Sequence, residues 1–160
     1  MRGGSLPPAL LSAALGLALA YAPPRARSAA VPVLWIAAPL VALVNLSPRW
    51  EEPVFLACWA GVIMAATSVH LPRGLNTPLV FALALAIAVL AGAVTSVAGS
   101  LPTLLIALPW VLVTFPAAWL IAHGRGIGVK IVSSWLIAIA LLSAALPLTP
   151  TPGYEPDHLE

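Results

Sequence analysis

Six apolar runs, separated by short polar or Pro- and Gly-containing segments, make up most of this chain. The longest is residues 78–99, where 22 residues pass without a charge. At about 1.5 Å per residue, a helix of that length crosses a hydrocarbon core about 30 Å thick. Its alternating Ala and Leu would also suit a strand, but both residues favour helices and the run is twice as long as a barrel strand. We therefore predict a membrane helix here and take it as the central span.

The other five runs predict helices of similar type, so the expected fold is an all-α polytopic membrane protein with six transmembrane helices. These helices are predicted over residues 8–22, 30–46, 54–70, 103–122 and 128–147. Residues 1–147 then form a single membrane-embedded domain, and the polar, Pro-rich residues 148–160 form a tail. A secretory signal is an alternative reading of the N-terminus, although Arg25 and Arg27 directly after the first run oppose export.

Small residues recur at every fourth position on three of the predicted helices. Such stripes let helix backbones approach closely in a membrane. The packing residues expected from this pattern are Gly16, Gly61, Ala84, Ala88, Gly92 and Ser96. The tightest contact is expected along residues 84–96, with the first helix near Gly16 as the partner of Gly92.

Several residues of the first three spans match residues of the last three at a nearly constant offset. Pro32 and Pro39 correspond to Pro109 and Pro116 at 77 positions, and Gly16 corresponds to Gly92 at 76 positions. With three spans per half, a true duplication would be an inverted-topology repeat, as in many transporters. Chance matching in a chain rich in Ala, Leu and Pro is the alternative explanation.

The matched prolines indicate where a pathway would lie if the repeat is real. Proline removes a backbone donor and kinks a helix, which frees carbonyl groups to face a cavity. The pathway residues expected on the second and fifth spans are Pro32, Trp35, Pro39, Pro109, Trp110 and Pro116. Alternatively, these prolines only bend the helices for packing.

Composition and charge support a membrane location and suggest an orientation. The chain has 160 residues, of which 61% are hydrophobic and 8% charged, whereas a soluble domain carries about 25% charge. Five basic residues fall in the loops after odd-numbered spans and two on the opposite side, so the odd-numbered loops are expected in the cytoplasm and both termini in the periplasm. Six Arg to one Lys, together with abundant Ala, suggest a GC-rich bacterium and hence its inner membrane.

The sequence offers little catalytic or metal-binding chemistry. No Asp, Glu, Lys or Arg lies well inside a predicted span, which disfavours ion coupling through a membrane carboxylate. The three histidines lack metal-ligand spacing, Cys58 is the single cysteine, and no serine stands in a nucleophile motif. We expect no enzyme activity, metal, cofactor or nucleic-acid partner. Polar side chains within the spans, Thr95, Ser96, Ser133 and Ser134, are expected to form hydrogen bonds between helices.

These features predict a small inner-membrane transporter, channel or permease component that forms an oligomer. Three small-residue stripes exceed what one six-helix bundle needs, which favours assembly with further copies. The alternative is a non-transporting scaffold or accessory subunit whose small-residue faces bind a partner protein.

Overall fold

The computed structural model describes residues 6–44, 46–72 and 74–146, and over these residues the chain is helical without a strand. The α-helices are α1 (Leu6–Leu19), α2 (Pro24–Ala42), α3 (Glu51–Ser68), α4 (Thr77–Ala98), α5 (Leu101–Ala107), α6 (Thr114–Ala122) and α7 (Gly126–Ala145). Short 3₁₀ segments lie at Pro48–Trp50 and at Leu108–Val113, where the second joins α5 to α6. The predicted tail, residues 148–160, lies outside the described residues.

A helix occurs at each of the six predicted positions, but the helices differ in their capacity to cross a membrane. In the described part of the chain, four segments are long and apolar enough: α2, α4, Leu101–Ala122 and α7. These four segments indicate a membrane protein. Helix α1 has 14 residues, or about 21 Å, and α3 begins with Glu51 and Glu52. The crossing of the membrane by all six stays a prediction.

Side-chain caps explain where two of the helices begin. The Asn76 side chain accepts a hydrogen bond from the Leu79 amide at 3.0 Å, directly before α4. The hydroxyl of Thr103 lies 3.2 Å from the Ser100 amide that donates to it, at the start of α5. Both contacts satisfy amide groups that the first helical turn leaves without a partner.

Helix α1 is the central element of the bundle. It is buried on nearly all sides and contacts α3, α4, α7 and the segment from α5 to α6, and Leu11, Leu15 and Leu19 are fully buried. Among the segments long enough to cross a membrane, α4 is the most buried and forms the most extensive helix contact, with α2. The expectation that residues 78–99 form the central span thus holds among these long segments, although α1 is more buried and α4 leaves Leu85 and Val89 exposed on one face. An apolar residue pattern around the whole circumference of a helix is typical of a central position.

The turn between α1 and α2 is shorter than the sequence suggested. Helix α2 begins at Pro24, six residues before the predicted start, because proline suits the first position of a helix. Arg25 and Arg27 therefore lie in the first turn of α2 rather than in a loop. The Arg27 guanidinium reaches back to α1 and donates to the carbonyl oxygens of Leu19, Ala20 and Ala22 at 3.0 to 3.1 Å.

The two pairs of prolines have different effects on their helices. Helix α2 continues through Pro32 and Pro39 without interruption. In the fifth span, the 3₁₀ segment Leu108–Val113 separates α5 from α6. Pro109 is its second residue, and a missing amide donor is tolerated at such a position.

The close contacts of Gly92 and Gly16 involve different helices from those expected. A methyl group on Gly92 would lie 2.5 Å from the carbonyl oxygen of Ala38 in α2. One on Gly16 would lie 2.7 Å from the carbonyl oxygen of Val111 in the 3₁₀ segment. The predicted pairing of Gly16 with Gly92 is therefore wrong, because each glycine faces a different backbone.

The remaining small residues also lie at contacts within the chain. A methyl group on Gly61 would lie 2.5 Å from Leu90 Cδ1 and 3.1 Å from Leu11 Cδ2. Ala84 and Ala88 are fully buried, whereas Ser96 is partly exposed. The small-residue stripes thus lie at helix contacts inside one chain.

We expect Gly92→Ala to lower the free energy of unfolding by about 1–3 kcal/mol, because the added methyl group would push α4 away from the Ala38 carbonyl. The control is Gly128→Ala, where a methyl group meets no atom within 4 Å and should leave stability unchanged or raise it by about 0.4–1 kcal/mol. Unfolding in mild detergent measures both. Equal stability of the two variants would contradict the close approach.

We expect Arg27→Ala to lower the free energy of unfolding by about 1–3 kcal/mol, because three carbonyl groups at the end of α1 lose a charged donor. Arg25→Ala removes the same charge from the same helical turn, but Arg25 is exposed, so little change is expected. The same unfolding measurement compares them. An equal loss in both variants would show that charge, and not the contact with α1, is responsible.

Candidate functional site

The two ends of the bundle carry opposite sets of charges. At one end α1, α3 and α6 finish and α2, α4 and α7 begin; we call it the basic end, and its described charges are Arg25, Arg27, Arg125 and Lys130. The other end, here the acidic end, carries Arg49, Glu51 and Glu52. Charged side chains are confined to these ends in the described part of the chain.

Tyr21 connects the loops of the basic end. Its hydroxyl group donates to the Gly126 carbonyl oxygen at 3.3 Å, at the start of α7. A methyl group on Gly74, whose φ of 66° suits glycine, would lie 3.0 Å from the Tyr21 carbonyl oxygen. Burial raises the pKa of the Tyr21 phenol above its usual value. The hydroxyl group therefore stays protonated and able to donate.

His70 contacts two serines of α7 at the same end. Its Nε2 atom lies 3.2 Å from Ser133 Oγ and 3.5 Å from Ser134 Oγ. Both hydroxyl groups donate to the Lys130 carbonyl oxygen at 2.9 Å, and the direction of their contact with His70 depends on the tautomer of the ring. Sequence spacing gave no sign of this contact, since 63 positions separate His70 from Ser133.

The contact of His70 with Ser133 joins the turn after α3 to α7. Ser133 is fully buried, so its hydroxyl group is closed to a substrate. Ser133 and Ser134 thus form hydrogen bonds between helices, as expected. Thr95 and Ser96 instead donate to Ala91 and Ala93 of their own helix, because these carbonyl groups lie within reach along α4.

The expected pathway residues lie on the outside of the bundle in the described part of the chain. Five of them, Pro32, Trp35, Pro109, Trp110 and Pro116, are exposed, and Pro39 is partly buried. None of the six lines either cavity described below. They therefore surround no shared space within one chain.

A cavity of about 850 Å³ opens at the acidic end between α3, α4 and α7. We call it the end cavity; its lining residues are Pro48, Arg49, Glu51, Glu52, Val54, Phe55, Leu56, Trp59, Val94, Val97, Ala98, Ser143 and Leu146. Its volume is within the range typical of small-molecule sites. The cavity combines a charged rim with an apolar wall.

The charges at the end cavity are dominated by two free carboxylates. Glu51 and Glu52 lie in the first turn of α3, are exposed, and have no hydrogen-bond or ion-pair partner among the described residues. The Arg49 guanidinium lies over the Trp50 ring, 5.9 Å from its centroid. Helices α4 and α7 both end at this cavity, and helix C-termini carry partial negative charge.

Aromatic rings line the apolar wall of the end cavity. The Phe55 and Trp59 rings meet edge to face at 84°, with their centroids 5.7 Å apart. Trp59 is 6% exposed, and its Nε1 atom is a buried donor without a hydrogen-bond partner in the part of the chain that the structure describes. Such an unsatisfied donor is uncommon in a folded protein.

A second cavity, of about 570 Å³, lies between the end of α3 and the start of α4. Its lining is almost entirely apolar, with Thr67 and Ser68 as the polar residues among Met64, Leu71, Leu75, Leu79, Ala82, Leu83 and Ala86. Ser68 donates to the Ala65 carbonyl oxygen of its own helix. No charged side chain lines this cavity, so the end cavity is the better candidate site.

Metal binding has little basis in the described residues. No group of three or more His, Cys, Asp or Glu side chains lies close enough together there to hold an ion. Cys58 is buried and unpaired with another cysteine, and its sulfur lies 3.6 Å from the Leu90 carbonyl oxygen.

No protein-family model matches this chain, and comparison with curated proteins and with solved structures likewise finds no significant match.

Proposed function

We propose that the protein is a small oligomeric transporter, channel or permease component of a bacterial inner membrane. The observation that carries this proposal is the end cavity, which opens at one end of an apolar helical bundle and has charged groups at its rim. A cavity of this kind suits the admission of a solute from one side of a membrane.

Transport through this chain would be passive or driven by a partner. Charged side chains lie only near the two ends of the bundle among the described residues. Proton- or sodium-coupled carriers instead use an ionisable group within the membrane.

The packing of the helices supports two inverted three-helix halves. In such a repeat α1 corresponds to α4, and α2 corresponds to the fifth span. A contact of α1 with the fifth span should therefore recur as a contact of α4 with α2. Both contacts exist, and each has a matched glycine at its closest point: Gly16 against Val111 and Gly92 against Ala38. The extensive contact between α1 and α3 has no counterpart between α4 and α7. We propose six crossings with this repeat, in which the first half packs more tightly.

We propose that the basic end faces the cytoplasm and that both termini face the periplasm. Arg25, Arg27, Arg125 and Lys130 lie at the basic end, and positive loops are retained in the cytoplasm. The end cavity would then open toward the periplasm.

Assembly of several copies would use the proline- and tryptophan-containing outer faces. Trp110, Phe115 and Trp119 are more than half exposed, and large exposed apolar surfaces bind lipid or other protein chains. The glycines Gly16, Gly61 and Gly92 are occupied within the chain. This occupancy leaves no free small-residue face at these glycines, either for the partner of a scaffold or for further copies of the chain.

The proposed orientation predicts which end a membrane-impermeant maleimide labels in intact cells. In a Cys58→Ala background, Glu52→Cys at the acidic end should react from outside. Ile127→Cys, which is 73% exposed at the basic end, should react only after the cells are opened. The reverse pattern would overturn the orientation, and labelling of both positions from outside would place both ends in the periplasm.

The proposed transport function predicts solute release from liposomes that contain the purified chain alone. Release of small organic solutes should exceed that of protein-free liposomes. Glu51→Gln with Glu52→Gln should change the rate or selectivity, because these side chains line the opening. Co-purification of a stoichiometric partner together with absence of release would instead support the scaffold.

A further inference from the structure

We propose that the end cavity is a binding site for a small organic cation, such as a quaternary or aromatic ammonium compound. This inference rests on the transport function proposed above for the role of the site, whereas binding itself is measured separately. It joins two features of the cavity: its charge and its aromatic wall.

The charge of the cavity favours a cation. Glu51 and Glu52 have no partner among the described residues, so their charge is available to a ligand. The C-terminal ends of α4 and α7 add partial negative charge at the same opening, whereas the N-terminus of α3, which carries Glu51 and Glu52, adds partial positive charge. Arg49 contributes one opposing positive charge, and its guanidinium lies over Trp50. The two carboxylates outnumber it at the rim.

The wall of the cavity favours an organic cation over a metal ion. Phe55 and Trp59 present aromatic rings, and Val54, Val94 and Val97 complete an apolar surface. Aromatic rings attract ammonium groups electrostatically, and more strongly where water is excluded. A metal ion would need further oxygen or nitrogen ligands, and no cluster that provides them exists among the described residues.

The indole ring of Trp59 contributes an aromatic surface to the wall. Its Nε1 donor is buried and has no partner in the described part of the chain. An ammonium group offers no acceptor to an N–H donor, so this donor has no part in the proposed recognition of a cation.

Calorimetric titration of the full chain in mild detergent tests the proposal. The probe is benzyltrimethylammonium, which combines a permanent charge with an aromatic ring. Benzyl alcohol and benzoate are the neutral and anionic controls of similar size. We expect saturable binding of the cation and at least about ten-fold weaker binding of both controls, since loss of a charge interaction in a partly dry site is of that order.

Three variants connect binding to the cavity. Glu51→Gln with Glu52→Gln should weaken cation binding about ten-fold or more, whereas Arg49→Gln should strengthen it because an opposing charge is removed. Arg25→Gln removes one positive charge at the basic end, away from the cavity, and should leave binding unchanged. Thermal unfolding verifies that each variant is folded.

The outcomes separate this inference from the transport function. Absence of saturable cation binding, equal binding of benzyl alcohol, or unchanged binding after removal of both carboxylates would overturn the cation site. Binding without solute release from liposomes would keep the site and count against transport. Release of solute without cation binding would support transport and overturn the cation site.

Discussion

The bundle depends on the close approach of helix backbones at two glycines, Gly16 and Gly92, and on side-chain packing against a third, Gly61. Inside a lipid bilayer, apolar side chains gain little by leaving lipid for protein, so tight packing stabilises the contacts between helices. Gly16, Gly61 and Gly92 each leave room that a single methyl group would fill. Gly92 sets α4 against the carbonyl of Ala38, and Gly16 sets α1 against that of Val111. The contact at Gly92 fixes α2 relative to α4, and the contact at Gly16 fixes the 3₁₀ segment relative to α1.

The second constraint is the short length of α1, the most buried helix. A helix that ends inside the bundle leaves carbonyl groups without partners, and each costs free energy if no donor reaches it. Arg27 supplies three hydrogen bonds to the carbonyl groups of Leu19, Ala20 and Ala22. Arg27, which the sequence marks as a positive charge that sets the membrane orientation, therefore also satisfies the carbonyl groups at the end of the central helix. The early start of α2 at Pro24 brings Arg27 within reach.

The sequence predicted the helical class and the positions of the apolar segments, because both depend on local composition and run length. Helix α4 begins and ends within a residue of its predicted limits, since Asn76 and Gly99 mark both ends. Which helix is central could not be predicted, because α1 and α4 are both apolar and burial depends on three-dimensional packing. The same limit explains the wrong pairing of Gly16 with Gly92: a stripe indicates a close contact but not its partner. The contact of His70 with Ser133 and the end cavity join distant segments, so spacing could not reveal them.

The location of the candidate site follows from where the chain leaves charge unsatisfied. The matched prolines predicted a pathway along the second and fifth spans, but Pro32, Pro109 and Pro116 lie on the outer surface. The acidic end, by contrast, brings two unpaired carboxylates and two helix C-termini to one space. Water solvates these exposed carboxylates, so they cost the fold little; their position beside an aromatic wall is what favours a cationic ligand there.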